Sequence, residues 1–285
     1  MIVGSLFWGV SHKKKAPVTA GPKIVVSGYV PYTLARQIAG DTAEILMLLP
    51  SGAEPHSFEP TPGALVALNQ ADAFIYVSKE LEPWAVDLAK AAGEKTRVLA
   101  LAESFPKGQD PHVWMNIGQA ELLAYQIAAL FEKIAPQNRS VTDKNSFELS
   151  MELLALQDEF TQGLSSCQYH EVVHIGHLAF GNLLRPYGIT LTTLAGTSHE
   201  GEHSVKKLAQ LVHEIKAKKI PFIFTEEVVS PALAQTVAQE TGTQILPLYS
   251  IEHISKDDFE QNVTYAELMR RNLANLKRGL VCPAS

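Results

Sequence analysis

The chain has 285 residues, which is enough for two ordinary domains or one large domain with a substantial core. Hydrophobic residues make up 46% of it and charged residues 19%, a balance that is typical of globular proteins and excludes a disordered chain. The formal net charge of −6 gives no electrostatic reason to expect nucleic-acid binding, because the basic residues form no stripe apart from Lys13, Lys14 and Lys15.

The first residues have features of an export signal. The apolar run MIVGSLFWGV is far shorter than the ~20 residues that a membrane-spanning helix needs. It suits the apolar part of a secretory signal, although its basic residues follow the run instead of preceding it. The small residues Val18, Thr19 and Ala20 suit a cleavage site. We interpret residues 1–22 as an export-signal remnant or disordered N-terminus outside the fold, with an extraneous segment as the alternative.

The first half of the chain alternates short apolar runs with helical patterns. We predict strands at 23–28, 44–49, 73–78 and 97–102. Strands that alternate with helices of this kind are typical of parallel βα units. The pattern predicts an N-terminal α/β lobe at 23–139.

A helix-rich stretch separates the two halves. One helix is predicted from about Gly118 to Ile134 and a second from about Thr142 to Leu164, because apolar residues recur at helical spacing along one side of the second. Since no strand pattern interrupts this stretch, we predict a linking helix at 140–166.

The second half, at 167–285, repeats the α/β rhythm. Strands are predicted at 171–175, 189–194, 221–226 and 244–249, with a helix after each. The predicted fold class is therefore α/β, with two similar lobes, each a four-stranded, mainly parallel sheet flanked by helices. A cleft between two such lobes, outside the carboxyl ends of the strands, is a usual place for a ligand.

The chain has two cysteines, Cys167 and Cys282. In an exported protein they can pair and close a long loop across the C-terminal half. Two free thiols are the alternative, because a sequence does not show which residues are close in space. Two isolated cysteines so far apart make no thiolate metal site on their own.

The segment HEVVH at 170–174 matches the H-E-x-x-H pattern of zinc peptidases. That pattern needs a helix, which places both imidazoles on one face. The neighbouring valines favour a strand instead, on which His170 and His174 would lie ~13 Å apart, too far to share one zinc ion. We therefore interpret His170 and His174, like His213, as structural.

The segment HEGEH at 199–203 matches the same pattern. Gly201 in its middle and Ser204, which suits a helix cap, indicate a loop, in which the spacing has no helical meaning. Two interpretations stay open for this segment: a solvated loop, or a small acidic surface that captures metal transiently.

Three other histidines each lie in a loop or turn after a predicted strand. They are His56, His112 and His177. In an α/β protein all three would project at the ligand-binding edge, and neutral imidazoles are the commonest zinc ligands. A single such histidine is more often a solvated loop residue, but three at comparable positions favour a shared metal site.

Four segments resemble, in the same order, the metal-binding solute-binding proteins of bacterial ABC importers for zinc and manganese. They are GAEPHSFEPTPGALVALNQADAFIYVSKELEPW, DPHVWMN, GHLAFGNLLRPYGI and FTEEVVSPALAQTVAQETG. The similarity runs from about Lys23 to Leu280. It implies one long rigid helix between the lobes, one metal ion in the cleft, and a monomer that is not an enzyme. It also implies export to the periplasm or the outer face of the cytoplasmic membrane, with an ABC transporter permease as partner.

The resemblance places three metal ligands on His56, His112 and His177. The family's fourth ligand, usually an aspartate, falls near Tyr249, where this chain has no Asp. Tyr249, Ser250, Glu252 and a water molecule are the alternatives there. Glu54 is another, because some zinc-specific relatives use a glutamate beside the first histidine.

Residues near these ligands in the sequence are candidates for supporting roles. Glu59, three residues after His56, and Asp110, two before His112, are either residues that orient imidazole N–H groups or surface carboxylates. Glu226 is expected to line the cleft or to contact a helix of the other lobe, while Trp84 and Trp114 are expected to pack near the lobe interface.

The predicted function is capture of Zn²⁺ and its delivery to an ABC importer. Three imidazoles favour zinc over manganese, which prefers harder oxygen ligands. The alternatives are a manganese- or iron-binding member of the same family, a zinc-dependent hydrolase or peptidase with an open site for water, and an adhesin that retains the fold.

Overall fold

The computed structural model describes residues 21–106, 110–193, 205–226 and 232–283. Eight strands lie in these ranges, each inside a predicted strand position. They are β1 (Lys23–Val26), β2 (Glu44–Met47), β3 (Ala73–Tyr76), β4 (Arg97–Ala100), β5 (Glu171–His174), β6 (Thr190–Thr193), β7 (Phe222–Glu226) and β8 (Gln244–Leu248).

The strands form two sheets of the same topology. The first has the order β2-β1-β3-β4 and the second β6-β5-β7-β8, and every neighbouring pair is parallel. The inner strands β1, β3, β5 and β7 are almost wholly buried, as expected for a parallel sheet with helices on both faces. The predicted fold class of two similar α/β lobes is therefore confirmed.

Ten α-helices lie in the described ranges. They are α1 (Tyr29–Ala39), α2 (Pro62–Asn69), α3 (Pro83–Ala91), α4 (Ile117–Ile134), α5 (Arg139–Leu164), α6 (Gly181–Leu184), α7 (Val205–Lys218), α8 (Ala232–Thr241), α9 (Lys256–Glu260) and α10 (Tyr265–Gly279). None of these helices has the length and apolar composition that crossing a bilayer requires.

The helix predicted after β5 is much shorter than its sequence pattern indicates. Helix α6 has only four residues and passes into a 3₁₀ turn at Arg185–Tyr187. Pro186 lacks the N–H that an α-helix would need, and Gly188 ends the turn with φ 68°. Helix α9, which was not predicted, is capped by Ser255, whose side chain accepts a hydrogen bond from the Asp258 amide.

Helix α5 links the two lobes. Its buried stripe consists of the residues whose spacing predicted it: Leu149, Leu153, Leu156, Phe160 and Leu164. The helix packs against α1 and α4, which precede it in the chain, and against α10, which belongs to the C-terminal half. The domain bounds at 140 and 166 stay a prediction.

The two tryptophans that were predicted at the lobe interface lie in different places. Trp114 does lie between the lobes, since its Nε1 donates to the Ser250 carbonyl at 2.8 Å. Trp84 contacts residues of the N-terminal lobe: its ring packs on Phe58 and its Nε1 donates to the Pro55 carbonyl at 2.7 Å. Trp84 therefore supports the loop that carries His56.

A disulfide joins Cys167 and Cys282. It ties the chain just after α5 to the chain just after α10, and backbone hydrogen bonds from Gln168 to Val281 and from Tyr169 to Leu280 run beside it. The end of the linking helix is thus attached to the end of the last helix.

Candidate metal centre

Four metal-ligating side chains meet in the cleft between the lobes. His56 and His112 lie after β2 and β4 of the first sheet, and His177 and Glu252 lie after β5 and β8 of the second. The carboxyl ends of parallel strands lie at one edge of a sheet, so each lobe presents its two residues at the cleft. One ligand atom of each residue lies within 4.8 Å of those of the other three. We call His56, His112, His177 and Glu252 the four-residue group.

The distances inside the four-residue group suit a single small cation. Glu252 Oε1 lies 2.7 Å from His112 Nε2 and 3.9 Å from His56 Nε2, while Glu252 Oε2 lies 3.3 Å from His177 Nε2. The Nε2 atoms of His112 and His177 are 3.3 Å apart. Neighbouring ligands of a tetrahedral zinc ion, at metal–nitrogen distances of about 2.0–2.1 Å, lie ~3.3 Å apart.

Three of the four side chains in the group are closed to solvent. The side chains of His112, His177 and Glu252 have no exposed surface, and that of His56 is 16% exposed. Among the described residues, the buried Nε2 of His56 has no hydrogen-bond partner. Leaving such an atom unsatisfied costs about 1–3 kcal/mol, which a bound cation would offset.

Two carboxylates fix the orientation of the buried imidazoles. Asp110 Oδ1 lies 2.5 Å from His112 Nδ1, and Glu226 Oε1 lies 2.6 Å from His177 Nδ1. A carboxylate accepts hydrogen bonds, so Nδ1 carries a proton in each ring and Nε2 is the atom that faces the group. Asp110 thus lies where the sequence predicted an orienting residue.

The structure does not give Glu59 this role. Its side chain is exposed on the loop after His56 and lies outside both groups of metal-ligating residues found in the described ranges. Glu226 is the second orienting carboxylate instead. A signal for it was present in the sequence, because Glu226 ends a buried strand at the edge where the cleft was expected.

Only one of the proposed fourth residues belongs to the four-residue group. Glu54 turns one oxygen to the backbone N–H of His56, at 3.1 Å, and its side chain is 30% exposed. The backbone N–H and carbonyl of Tyr249 are hydrogen-bonded to Asn272, and its ring lies below Arg271. Glu252 is the candidate that lies buried among the three histidines.

An unusual backbone conformation turns Glu252 into the cleft. Ile251 has φ 65°, a left-handed conformation that β-branched residues rarely adopt. Such a residue stores about 1–3 kcal/mol of strain and needs support from its surroundings. That support comes from burial, since Ile251 is 1% exposed within the core that the two lobes share.

The electrostatics of the group depend on Glu252. Burial alone would raise the pKa of this carboxyl, but His112 and His177 hold its pKa well below the ordinary value. Burial would likewise lower the histidine pKa values, yet Glu252 and Asp110 raise the pKa of His112 to about 9. Glu226 and Glu252 raise the pKa of His177 to about 10. For His56 burial dominates, and the pKa is lowered. A cation therefore has to displace protons from two rings.

The peptidase-like motif does not contribute to this group. The segment from Glu171 to His174 is strand β5, and His170 is an exposed residue before it. His174 is buried with its ring 4.8 Å from that of Phe180. The second match, at 199–203, lies outside the described residues.

Residues 24–279 match the family model described as "Zinc-uptake complex component A periplasmic". The chain belongs to this family. It is 30% identical to the zinc-binding lipoprotein AdcA of Streptococcus pneumoniae TIGR4 over 276 residues, which cover 90% of this chain and 55% of that protein. The chain thus spans about half the length of that relative.

Two further comparisons cover almost all of both chains. The high-affinity zinc uptake system protein ZnuA of Bacillus subtilis is 30% identical over 296 residues, covering 96% of this chain and 92% of that protein. The crystal structure of the Zn(II)-bound ZnuA-like domain of Streptococcus pneumoniae AdcA superposes with a TM-score of 0.81 at 30% identity, covering 92% and 99%.

Proposed function

We propose that this chain is an extracytoplasmic solute-binding protein that captures Zn²⁺ and delivers it to an ABC-type importer. The zinc ligands in this proposal are Nε2 of His56, His112 and His177 together with the Glu252 carboxylate. The observation that carries it is the convergence of these ligand atoms within 4.8 Å in a buried cleft, in a chain of the zinc-uptake family.

The composition of the four-residue group favours zinc over manganese. Three imidazoles and one carboxylate match the four-coordinate, nitrogen-rich environment that zinc prefers. Manganese prefers carboxylate, carbonyl and water oxygens. Among the four residues of the group, Glu252 alone offers oxygen ligands. Manganese and iron are therefore expected to bind more weakly than zinc.

The same arrangement favours binding over catalysis. A hydrolytic zinc ion keeps one position open for water and needs a general base beside it. Here four protein residues supply a full tetrahedral set. The nearby carboxylates of Asp110 and Glu226 are hydrogen-bonded to the Nδ1 atoms of His112 and His177, whereas the Nε2 atoms of these rings face the four-residue group.

Location and partners follow from the family and from the site. The family description is periplasmic, which supports a position outside the cytoplasmic membrane and a permease as the recipient of the metal. All four ligands come from one chain, so a monomer suffices to bind the ion. The net charge of −6 gives no basis for a nucleic-acid partner.

The test is metal analysis of protein purified without added metal, followed by competition titration of Zn²⁺ against Mn²⁺ with a chromophoric chelator. We expect one tightly bound zinc per chain, lost in the variant His56→Ala, His112→Ala, His177→Ala. The matched control is His213→Ala, at an exposed position on α7. Unchanged zinc affinity in the triple variant would refute the ligand assignment, and chelator-sensitive peptidase or esterase turnover would refute a pure binding role.

A further inference from the structure

A fourth histidine lies beside the four-residue group with its ring orientation already fixed. His253 Nδ1 lies 2.9 Å from the backbone carbonyl of Ala53, on the other side of the cleft. A carbonyl can only accept, so Nδ1 is the donor and the lone pair of the neutral ring is on Nε2. This is the same tautomer that carboxylates impose on His112 and His177.

The Nε2 atom of His253 faces two carboxylates. It lies 4.0 Å from Glu54 Oε2 and 3.9 Å from Glu252 Oε2. These spacings are slightly larger than the ~3.3 Å between ligands of a tightly held zinc ion, and they suit a cation that retains some of its water.

Exposure gives the order in which an incoming cation meets these groups. The side chain of Glu54 is 30% exposed, that of His56 is 16% exposed and that of His253 is 6% exposed, whereas His177 and Glu252 have no exposed surface. Glu54 therefore lies on the solvent side of His177 and Glu252, and His253 lies between Glu54 and Glu252.

We propose that His253, whose Nε2 has Glu54 and the Glu252 carboxylate as neighbours, forms with them an outer position that holds a divalent cation before it enters the four-residue group. This inference rests on the proposed function. Glu252 serves both positions, because its Oε2 is 3.9 Å from His253 Nε2 and 3.3 Å from His177 Nε2. The cation moves inward by exchanging Glu54 and His253 for imidazoles of the four-residue group, without losing contact with this carboxylate.

The outer position binds more weakly than the inner one. It offers one imidazole instead of three, and one of its carboxylates is partly solvated, so water competes with it for the cation. Its effect is therefore mainly on the rate of capture, because a carboxylate at the mouth of a cleft raises the local concentration of cations.

The test uses Co²⁺ as a probe for occupancy, through its visible absorption, and stopped-flow mixing with Zn²⁺ for the rate. All measurements are made in a His199→Asn, His203→Asn background, which removes the other imidazole cluster of the sequence. Against this background we compare Glu54→Gln alone, the pair Glu54→Gln, His253→Gln, and the control His213→Gln. Thermal unfolding checks that each variant is folded.

We expect a tight and a weaker class of Co²⁺ sites in the background protein and in the control. The paired variant loses the weaker class and associates with Zn²⁺ about tenfold more slowly, while the tight class remains, and Glu54→Gln alone gives the same change in part. Retention of the weaker class and of the rate in the paired variant overturns the outer position. Loss of the tight class in that variant also overturns it, because His253 then belongs to the inner site. Absence of the tight class in the background protein overturns the proposed function itself.

Discussion

Glu226 Oε1 lies 2.6 Å from Nδ1 of His177, and it joins the end of β7 to the turn after β5. Both side chains are buried, so the pair keeps its geometry in the metal-free protein. The carboxylate holds the ring in one tautomer, with Nε2 directed at the other three members of the four-residue group.

Loss of the Glu226 carboxylate should therefore weaken metal binding without removing a ligand. We expect Glu226→Ala to lower zinc affinity by about 10- to 100-fold, while Glu226→Gln, which keeps an acceptor oxygen, loses less. Competition titration measures both. The control is Glu59→Gln, at an exposed carboxylate near His56. Equal affinities for Glu226→Ala and the control would contradict an orienting role.

Gly176 is required because two side chains of the site approach its backbone closely. A Cβ atom there would lie 2.5 Å from Cε1 of His174 and 2.7 Å from Glu226 Oε1. Gly176→Ala should therefore displace Glu226 from His177, lower zinc affinity by about tenfold or more and lower the melting temperature. Gly63→Ala is the control, since its Cβ would meet only Thr61 Oγ1 at an ordinary 3.5 Å. A Gly176→Ala protein with ordinary affinity would show that the turn adapts.

Zinc affinity should rise with pH between about pH 6 and pH 9. The raised pKa values of His112, about 9, and His177, about 10, mean that near neutral pH both rings carry a second proton, on Nε2, in the metal-free protein. Zinc has to displace these protons, so affinity falls as pH decreases, by up to about 100-fold per pH unit if two protons leave. His56, whose pKa is lowered, contributes little at neutral pH.

Chelator competition at several pH values gives the slope. Calorimetry in buffers of different ionisation enthalpy counts the protons released. A flat affinity across this range would contradict the ion pairs that Glu252 makes in the metal-free cleft.

The Cys167–Cys282 disulfide should stabilise the fold more than it affects the metal centre. It closes a loop with a sequence separation of 115 residues, which restricts the unfolded chain. We expect Cys167→Ser with Cys282→Ser to lower the free energy of unfolding by about 2–4 kcal/mol and to leave zinc affinity within about threefold, since no member of the four-residue group is attached to either cysteine. Denaturant unfolding of the metal-free proteins measures the first and chelator competition the second. A large loss of affinity would show that the disulfide controls the cleft.

Glu82 should make the metal-free protein less stable at alkaline pH. Its carboxyl is 2% exposed and accepts a hydrogen bond from the Val77 amide at 2.7 Å, and burial raises its pKa to about 7. A carboxyl with a raised pKa contributes stability below its unfolded pKa and loses it as pH rises through the folded value. Glu82→Gln should therefore gain stability relative to the natural chain between pH 5 and pH 8. Melting temperatures across this range measure the change, with Glu80→Gln, at an exposed carboxylate, as control. If the melting temperatures of the two variants change with pH in the same way, Glu82 does not destabilise the protein at alkaline pH.

The sequence by itself determined the strands and most helices, because hydrophobic periodicity and the βα rhythm are local properties. It also placed His56, His112 and His177 after strands, and parallel sheets bring such positions to one edge. The resemblance of whole segments then indicated what these residues bind.

Only the tertiary structure shows which of Glu54, Tyr249 and Glu252 lies within the group of three histidines. That choice depends on the left-handed turn at Ile251, a conformation that its own side chain disfavours and that burial in the common core stabilises. Periodicity carries no signal for such a turn. The sequence also does not show that Glu226 pairs with His177 or that His253 faces Glu54. Each pair joins residues far apart in the chain. The folding of the second lobe brings the first pair together, and the packing of the two lobes brings the second pair together.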